Sequence, residues 1–343
     1  MLRATLPQPF VARNEFRAPL WRLALTSRGG VLLRSSRLTT AMGSRSNTPR
    51  LGTAPRTAPN AAVISSRDNR WLKEFRIALR GGLPSETGAV GVEGPRLVEE
   101  ALRSASPIRA VLYSESGERH HARLAPYLDR PEVAIPVLHT TDRLFEGIAD
   151  TEHPQGIAAL VTPRSFSFDD ISRPSANGVA PLIVVLAGVQ DPGNVGTILR
   201  TAAAFGATAA VTSPSGQSGS ASPFSPKALR ASAGAALHLP LLTGMALGIL
   251  LAQFKSVGIQ SLASSSRESL ETEQRLLAPW QFDWREPAAL LIGNEGAGLP
   301  EEVERSADAR IRIPMASSVE SLNAAAAAAV LFYEASRQRN SQK

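Results

Sequence analysis

Arg312-Ile313-Pro314-Met315-Ala316-Ser317-Ser318-Val319-Glu320-Ser321-Leu322-Asn323 leads from a strand-like run, 309–313, into an alanine-rich segment, 324–334. Pro314 removes a backbone donor and stiffens the connection as it leaves the strand. Ser321 and Asn323 put short polar groups where the surrounding sequence is apolar. The six consecutive alanines at 324–329 have strong helix propensity. Their small side chains also let other backbone come very close. A strand, a stiff loop with two polar side chains and a closely packable helix make one unit of an α/β fold whose loop has something to hold.

Two similar transitions precede it. The continuous apolar run 182–187, rich in Ile and Val, reads as a fully buried parallel strand. Asp191-Pro192-Gly193-Asn194 follows, with Pro and Gly where a type II turn wants them. Asn194 suits a helix N-cap and Gly206 the helix stop, so a helix is expected over 194–205. Arg200 lies in that helix among apolar neighbours. It reads either as a solvated surface cation or as a cation at the mouth of a site, gripping phosphate or stabilising an alkoxide. The third transition runs from the strand 288–292 into Gly293-Asn294-Glu295-Gly296-Ala297-Gly298 and a helix over 300–305. Three glycines permit close backbone approach to a ligand. Glu295 reads as a plain turn carboxylate or as a site residue. No GK[ST] or GxGxxG pattern is present, and Glu301 and Glu302 make an acidic helix start that repels phosphate. A nucleotide-dependent kinase or oxidoreductase is therefore disfavoured.

Between these units the alternation continues: strands over 207–212, 237–242, 259–263 and 310–313, and helices over 227–233, 245–254 and 320–338. Residues 182–343 are expected to form a doubly wound, mostly parallel α/β sheet. Such sheets bind ligands beyond the carboxyl ends of their strands. Residues 61–162 show shorter alternating elements and predict a smaller α/β domain: strands at 89–92, 109–113, 133–138 and 156–161, and helices at 96–104, 118–125 (stopped by Pro126) and 141–148. Residues 163–181 read as a linker.

Composition narrows the partners. The 343 residues carry a formal charge of +7, but 1–60 hold ten Arg, no Lys and a single acid, Glu15. The remainder is slightly acidic, so any nucleic-acid surface must be a local patch. The basic, acid-poor tail resembles an organellar transit peptide, mitochondrial or plastid. The preferred reading is a disordered tail or an upstream start before Met42, which leaves the protein cytoplasmic, with the organellar reading as the alternative. There is no cysteine, so disulfides and thiolate chemistry are excluded, and the five histidines have no ligand spacing, so no metal is expected. The apolar 241–252 is too short for a membrane span, which needs roughly 20 residues, and reads as a buried helix.

Taken in order, the three transitions resemble the signature of the SpoU/TrmH group of RNA ribose methyltransferases in the SPOUT superfamily. The match spans about 181–339 and includes a fourth segment, Ser225–Gly234. The resemblance implies a C-terminal trefoil knot, a homodimer and S-adenosylmethionine held in the knot. Gly293, Ile313 and Leu322 match the cofactor-binding positions. Asn194, Arg200, Glu295, Ser321 and Asn323 match the catalytic set. Val92-Glu93-Gly94 and His153-Pro154-Gln155-Gly156-Ile157 resemble the family's substrate-binding domain, similar to small ribosomal RNA-binding proteins. One departure is that Ala324-Ala325 stands where the family usually has Val-Ser, which removes a hydroxyl at the start of the helix.

The implied function is methylation of a ribose 2′-hydroxyl, most directly in large-subunit ribosomal RNA. Transfer RNA, or a non-methylating RNA-binding assembly factor of the same fold, are the alternatives. A sulfonium is already a good leaving group. The task is to position the poorly nucleophilic hydroxyl and to stabilise its developing charge, worth about 7–11 and about 3–4 kcal/mol respectively. Guanidinium groups hold their proton tightly, so Arg200 is assigned electrostatic help and the adjacent phosphate rather than proton abstraction.

Overall fold

The computed structural model describes residues 63–80, 88–129, 135–175, 177–214, 219–265, 275–316 and 321–341. The tail 1–60, and with it the choice between targeting segment and extension, lies outside them, as do 317–320.

The smaller layer comprises β1 (Val63–Ile64), α1 (Arg70–Arg80), β2 (Val90–Glu93), α2 (Pro95–Arg103), β3 (Ile108–Ser114), α3 (His121–Leu128), β4 (Val137–Thr140), α4 (Asp142–Glu146) and β5 (Ile157–Val161). Its strand order is β1-β4-β3-β5-β2, with β5 antiparallel to both neighbours and the other pairs parallel. The sheet is buried on both faces, as the period of two requires. Val111 and Tyr113 point to one core, and Ala110 and Leu112 point to the other. In α1, Leu72, Phe75 and Leu79 recur at helical spacing and are buried against the second face.

A short helix, α5 (Phe168–Ser172), interrupts the expected linker, held by a capping box between Ser167 and Asp170. The larger layer follows: β6 (Leu182–Ala187), α6 (Pro192–Ala204), β7 (Ala209–Thr212), α7 (Pro226–Ala231), α8 (Ala235–His238), β8 (Leu241–Thr243), α9 (Leu247–Ser256), β9 (Gln260–Ser264), β10 (Leu276–Leu277), β11 (Ala288–Gly293), α10 (Glu301–Ser306), β12 (Ala309–Ile311) and α11 (Ala324–Asn340). Every pairing is parallel, in the order β10-β12-β9-β11-β6-β7-β8. All six residues of β6 are buried, with Leu182, Val184 and Leu186 in one core and Ile183, Val185 and Ala187 in the other. This is the doubly wound parallel sheet that the apolar runs predict.

The first core is continuous across both layers, from Val90 and Leu97 to Leu229 and Leu237. Arg230 also pairs with Asp150 at 2.7 Å, and His238 Nε2 lies 3.1 Å from Glu100. Elsewhere a buried ion pair ties α10 to β12: Glu304 and Arg310, 3.5 Å apart, have side chains only 2% and 3% exposed. Among the described residues no helix is long and apolar enough to cross a membrane, and no His, Asp or Glu cluster could hold a metal.

Several expected boundaries move, each for a local reason. Pro126 does not stop α3, which runs on to Leu128. Pro126 lacks one helical donor, yet Leu124 before it and Leu128 after it are both buried. The expected helix start at Glu118 is instead a 3₁₀ turn, Ser116–His120. The expected strand 237–242 begins only at Leu241, because Ala236 and Leu237 are buried on α8 and Pro240 breaks the chain before β8. The apolar run 241–252 is not one buried helix. It holds β8, a turn at Gly244 with φ +77°, and the start of α9, where Ile249 is 59% exposed. The last helix starts at Ala324 rather than 320, with Asn323 as its cap.

Candidate active site

The three loops singled out by sequence leave the carboxyl ends of β6, β11 and β12, which are close neighbours in the sheet. The first holds a correction. Asn194 is not the N-cap of α6, and there is no type II turn before it. Asp191 is the cap, with its Oδ1 accepting from the Asn194 amide at 2.9 Å, and Pro192 takes the first helical position that suits its fixed φ. Asp191 is itself gripped by Lys227 of α7 at 2.7 Å. Donation by Lys227, then by the Asn194 amide, holds the Asp191 carboxyl below its ordinary value. Gly206, at φ +87°, follows the helix end as expected.

Placing the cap at Asp191 moves Asn194 into the first turn and frees its side chain. Its Nδ2 donates to Glu295 at 3.0 Å, and its Oδ1 accepts from Asn323 Nδ2 at 3.2 Å. Glu295 also accepts from the backbone amides of Gln190 and Asp191, at 3.1 and 3.0 Å. Partial burial pushes the Glu295 carboxyl up, but these three hydrogen bonds outweigh it, and the group sits below its ordinary value. One carboxylate thus latches the loop after β6 to the loop after β11. Asn323 carries the chain of bonds on to α11, where its Oδ1 accepts from Ala325 and Ala326 amides at 2.8 and 3.3 Å. The helix start is therefore capped without the hydroxyl that Ala324-Ala325 lack.

The loop after β11 folds back on itself. Asn294 and Gly298 exchange two backbone hydrogen bonds of 3.0 Å, and the Asn294 side chain accepts from Gly296 and Ala297 while donating to the Gly188 carbonyl. This return passes tightly over Gly293, where an added Cβ would lie 2.4 Å from the backbone of Gly298 and Leu299. Beside it opens a pocket of about 290 Å³, whose lining includes Gly293, Glu295, Ile313, Met315, Ser321 and Leu322.

Seven of the eight residues singled out by sequence are thus brought together, in this pocket or in the hydrogen-bond chain at its mouth. Arg200 stands apart. It is exposed on α6 and lines a separate cleft of about 670 Å³ with Arg96, His120, Arg123 and Arg230.

Known proteins are similar to this chain in sequence and fold. The sequence pattern of the SpoU rRNA Methylase family matches residues 181–333, and that of the MRM3-like substrate binding domain matches 85–159. An uncharacterized tRNA/rRNA methyltransferase of Synechocystis sp. is 32% identical over 278 residues, spanning 81% of this chain and 94% of the relative. The chain belongs to the SpoU rRNA methylase family. Beside the SpoU pattern, the 23S rRNA (guanosine(2553)-2′-O)-methyltransferase RlmP of Bacillus subtilis is 29% identical, covering 79% of this chain and 97% of its own. The AdoMet-bound rRNA methyltransferase of Sinorhizobium meliloti superposes with a TM-score of 0.65 at 28% identity, covering 80% of this chain and 97% of its own.

Sequence reasoning missed the supporting residues of this candidate site in the SpoU-family chain. Lys227 lies in a segment that resembles the family, but nothing in its spacing pairs it with Asp191. Asn294 reads as one more polar turn residue, although Asn between two glycine-rich steps is a signal for a side chain closing its own loop. The arginines that join Arg200 come from α2, α3 and α7, far apart in sequence.

Proposed function

We propose that this protein is an S-adenosylmethionine-dependent RNA methyltransferase that modifies a ribose 2′-hydroxyl in large-subunit ribosomal RNA. The observation that carries the reading is the chain of hydrogen bonds from Glu295 through Asn194 to Asn323, which locks three strand-end loops around one pocket. The pocket suits the cofactor's chemistry. Its walls include Ile292, Ile311, Ile313, Leu322 and Leu331, and among the described residues its lining holds no Lys or Arg and carries the carboxylate of Glu295. Apolar walls beside a carboxylate favour a cationic nucleoside without phosphates. Gly293, Ile313 and Leu322 would hold it.

When bound, S-adenosylmethionine supplies an electrophilic methyl on a sulfonium. This chain's residues do the rest. Ser321 and Asn323 offer polar groups at the pocket mouth that can orient the ribose hydroxyl. Glu295 positions Asn194, and Asn194 fixes Asn323. Arg200 serves the phosphate and the developing negative charge from the neighbouring cleft. Ribosomal RNA is favoured because RlmP, whose name states that substrate, aligns along 97% of its length, substrate-binding domain included.

Two further features belong to this reading. β12 is laid between β9 and β10 after β11 has already been placed beside β9, an order consistent with chain threading into a trefoil knot. Val330 and Tyr333 on α11, 43% and 58% exposed, and Leu322 at 39% suit a homodimer contact.

Transfer of labelled methyl to unmodified total RNA, with the product mapped, tests the proposal. Label at one 2′-oxygen of large-subunit RNA is expected, falling about 10²–10³-fold in Arg200→Ala with cofactor affinity unchanged. Cofactor binding with no transfer to any RNA would replace it with an assembly factor.

A further inference from the structure

The cleft at Arg200 is built by both layers. Arg96 comes from the first turn of α2, His120 and Arg123 from the start of α3, Arg200 from α6 and Arg230 from α7. Its cations are not alike. Arg123 is held by Glu99 at 2.5 Å and Arg230 by Asp150 at 2.7 Å. Glu93, also in the lining, spends its carboxylate on the amides of Asp150 and Thr151 and on the Thr151 hydroxyl. Arg96 and Arg200 have no hydrogen-bond or ion-pair partner among the described residues, and both are exposed. Two unpaired guanidiniums thus face one cavity from opposite layers, each backed by a second arginine already fixed by an acid.

The setting favours an anion with directional oxygens. Arginine forks match phosphate geometry, and fixed carboxylate pairs hold Arg123 and Arg230 in place without ordering cost at binding. The α2 start adds to this: Gly94 provides no side-chain cap, and Pro95 and Arg96 begin the helix in the cleft lining. The layers do not slide freely, since one core and the Arg230–Asp150 and His238–Glu100 pairs join them. The cleft also has a fixed relation to the pocket. Asn194 and Arg200 sit on one helix six residues apart, about 9 Å along its axis. A strand held at Arg200 needs to span only about this distance along α6 to reach the level of Asn194.

We propose that this interlayer cleft clamps the RNA backbone beside the target nucleotide, with Arg96 and Arg200 binding phosphate from opposite sides and Arg123 and Arg230 shaping the channel. The inference rests on the methyltransferase reading for the meaning of "target", but its test does not. Arg96 is a contact from the substrate-binding domain that sets affinity and the register of the strand, apart from the pocket and from the reacting atoms.

The experiment uses the full chain and an unmodified large-subunit ribosomal RNA transcript, with affinity measured across a KCl series. Arg96→Ala is expected to weaken binding about tenfold near 0.1 M KCl. It should also make the slope of log affinity against log salt shallower by about 0.7, the share of one single-stranded phosphate contact. Arg96→Lys should restore the slope but not the full affinity, because the fork is lost. Arg173→Ala, an exposed arginine on the chain just after α5 and paired with Asp169, controls for net charge and should leave the slope unchanged. In methyl transfer, Arg96→Ala should raise KM for RNA with kcat and S-adenosylmethionine affinity retained. An unchanged affinity and slope in Arg96→Ala, with cofactor binding intact, would overturn the clamp. An Arg96-dependent slope in a protein that transfers no methyl would support the clamp while sinking the enzymatic reading.

Discussion

Replacing Gly293 by alanine adds one methyl where two pieces of main chain already touch. The built Cβ lies 2.4 Å from Gly298 C and Leu299 N and 2.6 Å from Gly298 O. Carbon contacts are optimal at about 3.5 Å, so the loop must retreat by about 1 Å. None of the obstructing atoms belongs to a side chain that can change rotamer. β11 cannot yield instead, because Gly293 is paired with Ala187 in the middle of the sheet. The overpacking cost is about 1–3 kcal/mol. A loss of about 2 kcal/mol corresponds to a fall in Tm of roughly 4–6 °C for a unit of this size. The functional effect is larger than the stability effect, because the displaced loop carries Glu295 and Asn294. A shift of about 1 Å in a positioning group costs about 10²-fold in rate. Calorimetric unfolding, titration with S-adenosylmethionine and methyl transfer should be measured on the same preparation. The variant should remain folded at room temperature, lose cofactor affinity and lose most activity. A Tm within about 1 °C of wild type together with cofactor affinity within about twofold would refute the close approach and the reasoning built on it.

Asn323→Ala removes the acceptor for two amides of α11 and should cost about 1 kcal/mol. Asn323→Asp keeps the cap but deletes the donor to Asn194, so near-normal Tm with depressed methyl transfer is expected; equal activity in Asn323→Asp and wild type would argue against a role for the Asn323–Asn194 bond. Asp191 and Glu295 both have carboxyls held below their ordinary values of 3.8 and 4.5. Their stabilisation is therefore complete above those values and is lost as pH falls through the lower folded ones, so Asp191→Asn should flatten the loss of Tm between about pH 5 and about pH 2. Parallel profiles for variant and wild type would contradict the assignment. Glu304→Ala strands the buried Arg310 and should destabilise by about 3–5 kcal/mol, whereas Glu304→Leu with Arg310→Met should recover most of it; equilibrium denaturation distinguishes them.

Much of the larger layer is legible in the amino-acid sequence. A buried parallel strand must be apolar on both faces, so the run Leu182–Ala187 and the run 288–292 can be little else, and their order with intervening helices implies the doubly wound sheet. The glycine-rich and polar loops are legible for a related reason, since close backbone approach and strand-end polarity leave few residue choices. The sequence by itself thus determined the fold class, the three loops and seven of the residues found around one pocket or at its mouth. It misjudged elements whose limits depend on neighbours. Pro126 stays inside α3 because Leu124 and Leu128 join the core that holds Val111 and Tyr113 of β3, and the apolar 241–252 splits because Leu241–Thr243 finds an edge of β7 to pair with. The cap of α6 is set locally, by Asp191 ahead of Pro192 at the first helical position, but only tertiary structure brings Lys227 from α7 onto the Asp191 carboxylate. Tertiary structure alone set Arg200 among Arg96, Arg123 and Arg230. Periodicity reports which face of an element is buried, but not which distant exposed charges fold into one cleft. Exposed side chains follow no period, and only the packing of one layer on the other brings them within reach of a common ligand.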